Sequence, residues 1–116
     1  IRGGLEIMRG LVEAQKLRAE RTGNGMTREV LAYDKNLMMV RMTFEQGAVG
    51  ANHSHPHEQI TYIISGEFEY TYGDEVLNMK PGDSVFVPSG LTHGIRCLSA
   101  GMVLDAFTPC REDFLK

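Results

Sequence analysis

Three of the four histidines lie within seven residues, in the run His53-Ser54-His55-Pro56-His57-Glu58-Gln59. On an extended strand, residues two apart project to the same face, so His53 and His55 aim two imidazoles at one point. Pro56 disturbs the strand and takes His57 out of that parity. Gln59 opens the next segment and can return toward the same point. Glu58 is the alternative there, but it sits next to Gln59 with opposite parity. His93, the one distant histidine, follows the turn Pro88-Ser89-Gly90-Leu91-Thr92, which would carry it across a barrel. Imidazole nitrogens suit zinc, copper, iron and nickel, and one amide oxygen completes a four-ligand set with open positions. A set of His53, His55, Gln59 and His93 is neutral throughout. A divalent ion held there keeps its full charge, attracts anionic ligands and acts as a Lewis acid. The competing possibility for the histidine-rich run alone is a set of surface side chains in a polar loop.

A second cluster lies near the C-terminus, in Met102-Val103-Leu104-Asp105-Ala106-Phe107-Thr108 followed by Pro109-Cys110-Arg111. Asp105 shares a face with Val103 and Phe107, and a carboxylate among apolar neighbours is costly unless paired or facing a polar cavity. If that face is interior, Asp105 points into the metal cavity, where a raised pKa suits proton transfer. The alternative is a strand-end aspartate that pairs with Arg111 and anchors the C-terminal tail.

The elements that must position these residues are mostly strands. Residues 5 to about 20 space Leu5, Met8, Leu11, Val12 and Ala14 between charges in the manner of a short amphipathic helix. Thr22-Gly23-Asn24-Gly25 reads as a break. From Met26 onward short strands alternate with turns: 28–33, 36–44, 59–65, 67–72, 76–79, 84–87, 93–97 and 101–108. In 36–44, Met38, Val40, Met42 and Phe44 recur with a period of two. Gly73-Asp74 and Lys80-Pro81-Gly82-Asp83 are turns. Strands at this spacing, with Gly and Pro between them, predict an all-β sandwich or barrel. The expected division is a helical extension over 1–25 and one β-barrel domain over 26–116.

At 116 residues, 42% hydrophobic and 23% charged, the chain is one ordinary globular domain. With a net charge of −3 and no Lys/Arg cluster it carries no nucleic-acid or anionic-membrane footprint. It has no apolar run long enough for a membrane helix. Charges interrupt residues 1–25 every few positions, unlike a signal peptide, so a cytoplasmic location is expected. Cys97 and Cys110 make no disulfide framework and no CxxC site. They are expected as reduced thiols, with a structural bridge as the alternative.

The spacing from Gly47 through His53, His55, Gln59 and Gly66, then Gly82, Pro88, Gly90 and His93, resembles the two signature motifs of the cupin superfamily. Two positions depart from it: Gln59 stands where a glutamate ligand is usual, and Cys97 where an asparagine is. The stretches VLAYDKNLMMV, GAVGANHSHPHEQITYIISGEFEY, PSGLTHGI and LDAFTPCREDFL are similar to KdgF-type pectin-degradation cupins, from about residue 26 onward. The resemblance implies a single cupin barrel (double-stranded β-helix, or jelly roll) that opens the ring of 4,5-unsaturated uronates left by polysaccharide lyases. It implies one divalent transition metal (Ni, Zn, Mn or Fe) on His53, His55, Gln59 and His93, with Asp105, Phe107 and Arg111 lining the substrate site. A small anionic sugar substrate and a homodimer follow from it too. Two other functions fit the same motifs: another metal-dependent cupin enzyme, such as a dioxygenase or sugar isomerase, and a non-catalytic uronate-binding module.

Overall fold

The computed structural model describes residues 10–116. Two long strands form its spine: β5 (Glu58–Tyr72) and β8 (His93–Thr108), antiparallel along nearly their whole lengths. Each also pairs on its other edge with two shorter strands. The first part of β8 takes β4 (Val49–His53), and its last part takes β3 (Met38–Phe44). The first part of β5 takes β7 (Ser84–Val87), and its last part takes β6 (Glu75–Met79). Beyond β3 lie β2 (Met26–Tyr33) and β1 (Glu20–Gly23). The eight strands are one continuous sheet. It folds back on itself, so that Phe44 of β3 meets Phe68 of β5 edge to face, 5.3 Å between ring centres. This is the all-β barrel expected from the strand pattern.

The fold-back occurs where register irregularities interrupt the β5–β8 ladder between Ile63 and Phe68. Extra residues there bend and twist the strands. Gly66 and Gly101 make that crossing possible. Gly66 has φ +83°, and a Cβ on it would sit 2.5 Å from the Ser99 carbonyl oxygen. A Cβ on Gly101 would collide with the Ser65 carbonyl. The sequence pattern divided the spine at Gly66 and over 98–100, but each strand runs through.

The N-terminal segment differs from the expected helix. Leu5 and Met8 lie outside the described residues, and from Gly10 on a single 3-10 turn, Ala14–Lys16, remains with no buried residue. Leu11 is 61% exposed. A short helix with nothing to pack against does not hold in water. The expected break at Gly23–Gly25 is instead the turn of the β1–β2 hairpin.

Two apolar clusters fill the interior. The larger contains Phe44, Ile63, Phe68, Met79, Cys97 and Val103; the smaller contains Val30, Met38, Val40, Phe107 and Cys110. Both cysteines are free and occupy different clusters. Directly opposed residues in antiparallel strands share a face. One row across the inner face is therefore Val30, Val40, Asp105 and Thr61, and the next, toward Thr108, is Met38, Phe107 and Gln59. The row on the other side holds Arg28, Met42, Val103 and Ile63. Strand register thus delivers Gln59, Thr61, Asp105 and Arg28 to one wall.

Candidate functional site

The buried polar residues of the described chain are His55, Gln59, Thr61 and His93; the last three line one cavity, and His55 touches Gln59 and His93 beside it. That cavity encloses about 260 Å³ and is walled also by Arg28, His53, Tyr70, Asp105, Phe107, Arg111 and Phe114. His53 and His93 are cross-strand partners between β4 and β8, with ring centres 4.5 Å apart. His55 lies just past the end of β4, its ring 4.8 Å from that of His93. One nitrogen from each of the three imidazoles lies within 4.8 Å of the others.

The hydrogen bonds decide which nitrogens face the centre. Nδ1 of His53 lies 2.9 Å from the Ala51 carbonyl, Nδ1 of His55 3.0 Å from that of His57, and Nδ1 of His93 2.9 Å from that of Leu91. A carbonyl only accepts, so each Nδ1 carries the proton and each Nε2 presents a lone pair. Burial holds the pKa of both His55 and His93 below the ordinary histidine value, so they stay neutral. His93 Nε2 is buried with no hydrogen-bond partner.

Gln59 completes the set. Its amide nitrogen donates to Asp105 Oδ1 at 3.1 Å and to Thr61 Oγ1 at 3.0 Å, which turns its carbonyl oxygen toward the histidines. There Oε1 lies 2.9 Å from His55 Nε2. Two lone pairs facing each other at that distance repel unless a cation lies between or beside them. The orphaned His93 nitrogen and this pair of acceptors fit a divalent ion on His53, His55, Gln59 and His93, with the backbone carbonyls setting the imidazole tautomers.

Asp105 lies in the adjacent row. Thr61 Oγ1 donates to its Oδ1 at 2.6 Å, and Tyr70 O–H, 3.0 Å from Thr61 Oγ1, completes the hydroxyl's partners. Removal from water pushes the Asp105 carboxyl up to about 6, although bonds from Thr61 and Gln59 and the charge of Arg111 pull it down. Tyr70 is raised too, by burial and then by Asp105, so it remains a donor. The carboxyl makes no ion pair with Arg111. The guanidinium instead grips Asp113 through Nε at 3.1 Å and Nη2 at 3.0 Å. That contact holds the Asp113 carboxyl below its usual value. Phe107 packs edge-on against His55, with Arg111 Cζ 5.1 Å from its ring centre.

The residues expected at the site therefore converge: His53, His55, Gln59, His93, Asp105, Phe107 and Arg111. His57 does not join the cluster of nitrogens, though its ring touches His55 and its Nδ1 is buried without a partner. Glu58 is exposed and Cys97 belongs to the apolar core. Sequence reasoning missed Thr61, Tyr70, Arg28 and Phe114. Thr61 shares the strand parity of Gln59, and Tyr70 sits among the alternating aromatics of β5, so a signal existed for both.

The Cupin domain family model matches residues 40–107, and the chain belongs to that family. More particularly, it is similar to the KdgF proteins. The pectin degradation protein KdgF of Dickeya dadantii is 39% identical over 98 residues, covering 83% of this chain and 89% of that one. The structure of KdgF from a Halomonas species superposes with a TM-score of 0.85 at 32% identity, over 90% of this chain and 96% of the other. An RmlC-like cupin from Shewanella frigidimarina gives 0.86 at 36%, covering 90% and 94%. Among the described residues no helix is long and apolar enough to cross a membrane.

Proposed function

We propose that this chain is a metal-dependent enzyme that opens the ring of 4,5-unsaturated uronates to linear 4-deoxy-5-keto-hexuronates. The observation that carries the reading is Asp105: a carboxyl raised to about 6 on the wall of a sugar-sized cavity, one amide away from three converging imidazoles. The kinship with KdgF proteins supports the same substrate class.

The substrate is a hemiacetal whose ring double bond adjoins a carboxylate. The anomeric hydroxyl loses its proton and the bond from the anomeric carbon to the ring oxygen breaks. This gives an aldehyde and an enol. A proton then reaches C4, and the enol oxygen becomes the 5-keto group, so the overall change is an isomerisation needing no co-reactant. Asp105 is suited to hold and pass that proton, because a carboxyl near 6 populates both forms around neutrality. Thr61 fixes its Oδ1 and leaves the other oxygen for the substrate. Arg111 faces the sugar carboxylate and Phe107 packs on the ring. A divalent ion on His53, His55, Gln59 and His93 would supply electrophilic stabilisation of the enol oxygen. The outward sheet face, exposing Met39, Ile60, Tyr62 and Phe86, is the candidate contact for the expected homodimer.

Incubation with unsaturated galacturonate should abolish its conjugated absorbance and yield the linear keto acid by NMR. Saturable binding without turnover would replace this reading with a binding module.

A further inference from the structure

Arg28 has no place in the scheme above, yet it stands on the cavity wall in the row beside Asp105. Its side chain is only 18% exposed. Among the described residues its guanidinium makes no hydrogen bond, and its Nε is buried without a partner. Its nearest carboxylate oxygen is Glu20 Oε1, 3.7 Å from Nη2, on a side chain 57% exposed. A largely buried cation normally spends its donors on a fixed partner, since leaving them unpaired is costly. Arg28 does not.

The contrast with Arg111 is informative. Arg111 has committed two of its nitrogens to Asp113. Both guanidiniums stack on the ring of Phe114, Arg28 with Cζ 3.9 Å from the centre and Arg111 at 4.2 Å. Phe114 therefore holds two cations at the cavity wall, and the one not hydrogen-bonded to a carboxylate of the described chain is Arg28. We propose that Arg28 is the specificity-determining residue of this site, holding the sugar carboxylate from the β2 side and selecting uronates over neutral sugars. This rests on the reading that the cavity takes a uronate. Arg111 supports the same end of the sugar, while Phe114 keeps Arg28 in place. The guanidinium fork suits a carboxylate, which it meets with two parallel N–H donors.

The test reads binding, apart from turnover. Calorimetry on the wild-type protein with galacturonate and with galactose should show a preference for the acid of about tenfold or more, the worth of a charge-assisted hydrogen bond. Arg28→Gln should erase most of that preference through galacturonate alone, leaving galactose affinity as it was. With unsaturated galacturonate as substrate, Arg28→Gln should raise KM more than it lowers kcat. Glu20→Gln, on an exposed side chain that cannot endanger the fold, removes the competing carboxylate. It should tighten galacturonate about two- to fivefold, the range of a surface ion pair. An undiminished preference in Arg28→Gln, or an equal loss for both sugars, would overturn the inference. If Arg28→Gln does not fold, Glu20→Gln decides: galacturonate binding unchanged or weakened rejects the role. A wild type that prefers and binds galacturonate through Arg28 without turning over the unsaturated sugar would uphold Arg28 and reject the enzymatic reading instead.

Discussion

The barrel interior has two regions built on the same two strands, and they satisfy opposite demands. Around Ile63, Phe68, Met79 and Cys97 the inward positions of β5, β6 and β8 are apolar and closely packed. A few residues along, the same inner faces carry Gln59, Thr61, His93 and Asp105 around an open cavity. Among the described residues, the buried side-chain atoms without hydrogen-bond partners are Arg28 Nε, His57 Nδ1 and His93 Nε2, and all three belong to or touch the polar region. Unpaired groups destabilise a fold, so their concentration at one place is what a binding site, and not a core, requires. The apolar region holds the barrel shut; the polar region presents lone pairs and N–H donors to the cavity.

Breaking either region should give a different phenotype. Asp105→Asn should keep fold and metal while kcat on unsaturated galacturonate falls by about 10²–10⁴-fold, the usual contribution of a positioned acid or base. Rates at the wild-type level would make Asp105 a structural partner of Thr61. In the apolar region, Phe68→Ala should destabilise by ~3–5 kcal/mol in urea unfolding, since Phe68 is fully buried. Its folded fraction should keep normal kcat. A lowered kcat at unchanged stability would dissolve the distinction between the regions.

Gln59→Glu sharpens the comparison inside the site. The amide nitrogen now donates to Asp105 at 3.1 Å, and a carboxylate in its place sets two like charges against each other. Their repulsion is on the order of 1–4 kcal/mol at protein-surface dielectrics. Metal should be retained, while turnover slows and anionic substrate binds more weakly; unaltered kinetics would show that the neutrality of this position is irrelevant.

The smallest effect concerns pH and stability without metal. Asp105 has a folded-state pKa raised from 3.8 to about 6, so the folded protein binds more protons than the unfolded chain between those values. Its contribution therefore becomes less favourable as pH rises through that window, and the penalty is complete above it. In chelator-treated protein, the Tm of Asp105→Asn should gain on wild type from pH 4 to pH 7. A gap that stays constant would mean the carboxyl is not perturbed by burial.

Much of this was legible in the sequence for a definable reason. His53, His55 and Gln59 are marked by local strand parity, His93 by its place in the longer motif spacing, and Asp105 by its apolar neighbours. Thr61 and Tyr70 act through partners that only the barrel brings near, as in the Thr61–Asp105 bond across 44 residues. Arg28 reaches the wall because β2 and β3 carry its row to β8. Its only local mark was sharing the parity of Val30. The helix expected before residue 20 had the right period, but within the described residues its apolar stripe has no surface to cover. Gly66 looked like a chain break because glycine serves turns and close crossings alike.

The central claim is that the lone pairs of His53, His55, Gln59 and His93 converge for a divalent ion on which turnover depends. Chelator-treated protein titrated with Ni²⁺, Zn²⁺, Mn²⁺ or Fe²⁺, followed by elemental analysis and loss of substrate absorbance, measures both halves together. The account predicts one bound ion per chain, activity rising in proportion to occupancy, and the loss of both in His93→Ala. Full turnover by the metal-free protein, or full occupancy in His93→Ala, would contradict it.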